Sequence, residues 1–133
     1  MIRNVGAGVL GLMMGLMLVW LIEQIGHAVY PPPVDVDFGD PESVRAYIEA
    51  LPIGAILFVG AAWVLGAFVG VFVACRIGAA KPVIYSVLIG GLVLAGAIAM
   101  MIIIPHPSWF TVVSLLAIIL AAYTAMRLGP RSN

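Results

Sequence analysis

Four long apolar runs, each bounded by proline or by charge, constrain this chain more than any other feature. The first, Val5 to Ile22, is eighteen consecutive uncharged and largely apolar residues. An α-helix rises about 1.5 Å per residue, so a run of this length crosses a hydrocarbon layer about 30 Å thick. The runs predict four spans at about 4–25, 53–74, 82–104 and 109–126. Composition agrees: 64% of residues are hydrophobic and only 9% are charged, against about 25% charged in a soluble domain. The solvent for most of this chain is lipid. No segment between the runs exceeds about 25 residues, too few to bury a core of its own, so residues 1–133 form one transmembrane domain.

Secretory signals have apolar cores of about 7–15 residues, and the first run is longer, so it reads as a retained span. The formal net charge is zero and no basic run is present, which excludes a nucleic-acid-binding face. The single Cys75 cannot close an intramolecular disulfide or build a thiolate metal cage. It reads as a small packing residue at the cytoplasmic end of a helix, with S-acylation as the alternative. No cofactor is implied.

Small residues recur at four-residue spacing on every span, the pattern that lets helix backbones approach closely in lipid. Span one carries Ala7, Gly11 and Gly15. Span two carries the longest unbroken glycine–alanine series, Ala62, Gly66, Gly70 and Ala74. Span three carries Val87, Gly91, Ala95 and Ala99, and span four Ser114, Ala117, Ala121 and Ala125. Trp63 falls mid-span and is expected to pack rather than mark an interface.

Between spans one and two, Pro31 to Pro33 cannot continue a helix, since proline lacks the amide donor; an extended polyproline strut is expected there. Asp40-Pro41-Glu42 is then a helix start signal. Asp40 can cap free amides, Pro41 suits the first helical position, and Glu42 complements the helix dipole. Val44, Tyr47, Ile48 and Leu51 share one face of the resulting segment, 41–51, which Pro52 ends. This amphipathic helix is too short to span and should lie in the membrane interface or over the mouth of the bundle.

Five of the six carboxylates of the chain, Asp35, Asp37, Asp40, Glu42 and Glu49, fall in this one segment. A calcium loop beginning at Asp35 fails on spacing, because Gly39 and Ala46 stand where ligands are required. Arg3, Arg76, Lys81, Arg127 and Arg131 flank one side of the membrane, against Arg45 alone on the other. This positive-inside pattern predicts both termini in the cytoplasm, as an even number of spans requires. Trp20, Tyr30, Tyr47, Trp109 and Phe110 are then expected to form the outer aromatic belt, and Tyr85 and Tyr123 the inner one.

Glu23 is the only acid within a span, and an intramembrane ionisable residue is a functional candidate by default. His27 and Tyr30 follow at four and seven residues on the same helical face, while His106 stands in the turn between spans three and four. Convergence of Glu23, His27, Tyr30 and His106 near the outer mouth would allow three roles. These are a structural polar contact in which Glu23 hydrogen-bonds His27 or Tyr30, a proton or ion pathway, and a zinc or iron site built from one carboxylate and two imidazoles. No catalytic centre is indicated. The bundle also looks too closely packed to hold a pocket.

Two motif runs carry a resemblance. Glu23 to Pro33 reads Glu-x-x-x-His-x-x-Tyr-Pro-Pro-Pro, and Pro105-His106-Pro107-Ser108-Trp109 precedes the last span. Together they resemble a group of small bacterial four-span integral membrane proteins of unknown function. The resemblance covers nearly the whole chain and implies a fold and a location without an activity. The small multidrug-resistance transporters also have four spans and a lone acid in the first. Their acid lies deep in the span, however, and the charge bias here opposes insertion in both orientations.

The sequence therefore predicts an all-α, four-helix transmembrane bundle of the bacterial inner membrane, with a short extracytoplasmic amphipathic helix between spans one and two. The expected function is that of a non-enzymatic accessory or assembly partner. The expected partners are the lipid bilayer and a second membrane protein or further copies of the chain. The alternative is a small homo-oligomeric, proton-coupled ion or solute transporter using Glu23 and His27.

Overall fold

The computed structural model describes residues 1–130; Arg131, counted above among the cytoplasmic cations, lies outside the described residues. Five helices make up the fold: α1 (Ile2–Val29), α2 (Pro41–Ala50), α3 (Ile53–Ile77), α4 (Pro82–Ile103) and α5 (Ser108–Leu128). All but α2 are long and apolar enough to cross a membrane, and no strand occurs among the described residues. The chain is a small multi-pass membrane protein with an all-α bundle. The bundle has a terminal end, carrying Met1 and Leu128, and a loop end, carrying the 30–52 segment and the 104–107 turn.

α1, α3 and α5 run past the limits read from hydropathy, while α4 ends at Ile103. Gln24 to Val29 contain no proline, so α1 persists through Gly26 until Tyr30, just before the three prolines. At about 1.5 Å per residue, its 28 residues extend to roughly 42 Å, well beyond the hydrocarbon thickness.

α3 is the hub, packed against α1 on one side and α5 on the other. The α1–α3 contact is antiparallel and backbone to backbone. Gly15 meets Gly66, and Gly11 meets Gly70 and Ala74, so that Cβ atoms at these glycines would overlap the opposing chain. A Cβ on Gly15 would stand 2.6 Å from the Gly66 carbonyl oxygen and 3.2 Å from Gly70 Cα. The small series of spans one and two are thus complementary halves of one ridge.

The series on the third span does not pack within this chain. Val87, Gly91, Ala95 and Ala99 face outward, and the buried positions are Tyr85, Ile89, Gly90, Val93 and Ala97. Gly90 is the close-approach glycine there, since a Cβ on it would stand 2.7 Å from Ala122 Cβ, whereas Gly91 faces open space. α4 contains a π-helical turn at Ser86–Gly90, where the Ser86 hydroxyl donates to the Ala122 carbonyl at 3.3 Å. Interruptions of this kind change which face of a helix meets its neighbours.

Two buried clusters form the core. At the terminal end, Ala7, Val71, Ala74, Cys75, Tyr85, Ile89, Ala122 and Ala125 pack together. Cys75 is indeed a packing residue, its thiol donating to the Pro82 carbonyl at 3.8 Å. A polar clasp closes this end. Asn4 Oδ1 accepts the Ala79 amide at 2.8 Å, and the Tyr85 hydroxyl donates to the Asn4 carbonyl at 3.3 Å. Tyr85 is therefore 3% exposed rather than part of an inner belt, while Tyr123 is exposed with the Arg127 guanidinium 5.6 Å over its ring.

Toward the loop end, Ile56, Trp63, Ala67, Val93, Ala97, Phe110 and Ile118 form the second cluster. Trp63 packs in it as its mid-span position predicts. Phe110 does not join the belt: at 2% exposure it extends the buried stripe of α5, one turn before Ser114. Trp20 and Trp109 remain on the outer surface.

Candidate functional site

The strut, the cap and the roof at the loop end form largely as the residue types dictate. Pro31 to Pro33 carry no regular secondary structure. Asp40 then caps α2, its carboxylate accepting the Glu42 and Ser43 amides at 3.3 and 3.2 Å. Asp37 fixes the preceding turn: its carboxylate accepts the Gly39 amide at 2.8 Å, and its own amide donates to the Ser43 hydroxyl at 3.0 Å. Arg45 and Glu49 pair at 3.1 Å on the exposed face of α2. The opposite face, through Tyr47, Ile48 and Leu51, lies over the mouth of the bundle and lines a cavity beneath it.

That cavity measures about 280 Å³, so the bundle holds a pocket despite its close-packed helices. It arises from the way the helices diverge. α1 meets α4 mainly at the π turn Ser86–Gly90, toward the terminal end, and otherwise follows α3. At the loop end the space flanking α3 is left between the last turns of α1 and the end of α4, and α2 covers it. Gly26 and Gly54 keep α1 against α3 beside the cavity. A Cβ on Gly26 would stand 3.0 Å from Phe58 Cβ, and one on Gly54 would overlap the Tyr30 hydroxyl.

Glu23, His27, Tyr30 and His106 all line this one cavity. Sequence reasoning therefore placed the four together, but not in the arrangement expected for a structural contact. Among the described residues, the Glu23 carboxylate accepts no hydrogen bond from His27, Tyr30 or any other side chain. Nor do they form a metal centre, because among the described residues no three His, Cys, Asp or Glu side chains gather closely enough to hold an ion.

His106 is the best-fixed member. Its Nδ1 lies 2.6 Å from the Ile104 carbonyl oxygen. A carbonyl only accepts, so Nδ1 carries the proton and Nε2 of the neutral ring remains an acceptor. The ring stacks on Phe110, with centroids 5.2 Å apart at 16°, and tilts against Trp63 at 6.1 Å. Tyr30 meets Phe58 edge to face at 6.1 Å, and Phe38 meets Tyr47 likewise at 6.2 Å.

Phe38, Tyr47, Phe58 and Trp63 are the wall residues that sequence reasoning missed. Tyr30, Phe38, Tyr47, Phe58 and Trp63 come from α1, the acidic segment, α2 and α3, and all five line the cavity. Tyr30 and Tyr47, which their position near an interface places in the outer belt, both contribute to this wall. Glu23 is the only Asp or Glu on the wall, and neither Lys nor Arg is part of it. A second, larger and more open groove lies on the other side of α2, toward Pro105 and Trp109, and shares Phe38, Tyr47 and His106 with the first. In comparisons with known proteins the chain matches no family model, no curated protein and no solved structure.

Proposed function

We propose that this protein is a non-enzymatic accessory or assembly partner of the bacterial inner membrane, threaded with both termini in the cytoplasm. Its loop end is the surface that another membrane protein contacts. The observation that carries this reading is the ordered acidic segment above the cavity. Asp37 and Asp40 are spent on the turn and the cap, which leaves the exposed Asp35 and Glu42 carboxylates directed to the surroundings. Val34 stands fully exposed beside them. An exposed apolar side chain next to the free Asp35 carboxylate, in a segment that the Asp37 and Asp40 hydrogen bonds hold, is a surface prepared for a partner, with little ordering left to complete on binding.

The test is affinity purification from native membranes in mild detergent, wild type against Asp35→Asn/Glu42→Gln, which leaves turn and cap intact. A polypeptide retained in stoichiometric amount by wild type and reduced at least about fivefold by the variant is expected. Retention of the same polypeptide by both proteins would refute the role of the segment.

One observation favours transport as a second reading: Glu23 and His27 lie in the same cavity. The terminal-end cluster closes the bundle beyond it, so transport requires a second conformation. Proton-coupled flux into proteoliposomes that is lost in a folded Glu23→Gln variant would favour this reading over the first.

A further inference from the structure

We infer that the loop-end cavity is a binding site for an organic ammonium ligand with a small apolar body. The wall combines two features that recognise such a cation. Aromatic faces attract ammonium groups through their ring quadrupoles, most effectively where water is excluded, and Tyr30, Phe58 and Trp63 surround the space with rings from two helices. A carboxylate supplies the countercharge, and Glu23 is on the wall without a hydrogen-bond donor of its own among the described residues. No Lys or Arg on the wall competes for it.

A structural carboxylate at this depth would be expected to hold a donor, because unpaired charge near hydrocarbon is costly. A ligand cation supplies the missing partner. An anionic ligand, by contrast, would meet Glu23 with no Lys or Arg side chain in compensation. The volume of about 280 Å³ lies near the lower bound of small-molecule sites, which suits a body of roughly ten to fifteen heavy atoms. The groove across α2 shares Phe38 and Tyr47 with the cavity and offers a longer apolar tail a course toward the bilayer. The ammonium group can come from a free amine or from the headgroup of a phospholipid. This inference is independent of the partner reading, since binding is measured on the purified chain alone.

The experiment is equilibrium dialysis of radiolabelled phenyltrimethylammonium against the full chain in nanodiscs of phosphatidylglycerol. Saturable binding is expected, weakened at least about tenfold in Glu23→Gln, retained in Glu23→Asp, and not displaced by benzenesulfonate, an aromatic of similar size and opposite charge. Ala55→Phe, which adds bulk to the cavity wall and keeps Glu23 in place, should abolish binding, and it keeps the test decisive if Glu23→Gln fails to fold. The same measurement with phosphatidylethanolamine as half of the lipid separates the sources. Unchanged binding points to a free amine, and competition by the lipid points to its headgroup. Absence of saturable binding in phosphatidylglycerol, or equal binding by wild type and Ala55→Phe, would overturn the inference.

Discussion

Replacing Gly15 with alanine tests the ridge on which the bundle is built. The added Cβ would stand 2.6 Å from the Gly66 carbonyl oxygen, about 0.8 Å inside the 3.4 Å at which ordinary contact begins. Both obstructing groups, Gly66 O and Gly70 Cα, are backbone atoms, so no side chain can rotate away and the helices must separate. Overpacking of this kind costs about 1–3 kcal/mol, and separation also loosens the facing pair Gly11–Gly70. On the scale of a domain this size, about 2 kcal/mol lowers the melting temperature by roughly 5–10 °C. Cys75 offers the assay, being the one cysteine in the chain and buried in α3. Its reaction with a thiol-reactive fluorophore on heating in mild detergent reports unfolding. Gly96→Ala is the control, because a Cβ at Gly96 meets nothing within 4 Å and alanine is the better helix former by about 1 kcal/mol. Gly15→Ala is expected to melt well below wild type and Gly96→Ala at or above it. Equal melting of Gly15→Ala and wild type would refute the close approach of α1 and α3.

Other substitutions separate the remaining parts. Asp40→Ala removes the cap of α2 and should cost about 1 kcal/mol, and hydrogen exchange of the α2 amides should rise while that of α3 stays unchanged. Asn4→Ala deletes the acceptor of the Ala79 amide and should cost about 1–2 kcal/mol by the same thermal assay, with Asn4→Asp retaining most of the stability. Arg45→Ala breaks only an exposed i,i+4 pair, and a melting temperature within about 2 °C of wild type is expected, corresponding to at most about 0.5 kcal/mol.

The residues whose roles were legible from sequence are those with a local cause. Asp40 caps because it precedes Pro41 and the first turn, and α1 stops because Pro31 to Pro33 follow. The series of Gly66 and Gly70 marks a helix interface because its spacing matches that of Gly11 and Gly15. What stayed hidden depends on which of two equivalent faces turns inward. Span three carries two four-residue series, and the small one, through Gly91, lost to the one through Tyr85, Ile89, Val93 and Ala97. The choice is made by distant partners, the Asn4 carbonyl for Tyr85 and Ala122 for Gly90, which no local pattern encodes. Phe110 could have been found, since it lies four residues before Ser114 on the buried stripe of α5, yet its aromatic character and position suggested a belt. The cavity was the least legible feature. Glu23, His27, Tyr30 and His106 could be placed at one end, but the space among them comes from the divergence of α1 from α4 and from the roof laid by α2.

Site-directed photocrosslinking in living cells would be the most direct test of the loop end as a contact surface. A photoreactive amino acid would be placed at Val34, on the acidic segment, and in a separate protein at Met17, on the outer face of α1. A discrete ultraviolet-dependent adduct with a different polypeptide is expected from position 34 and not from position 17. No adduct at position 34, or an adduct there containing only two copies of this chain, would contradict the proposed role.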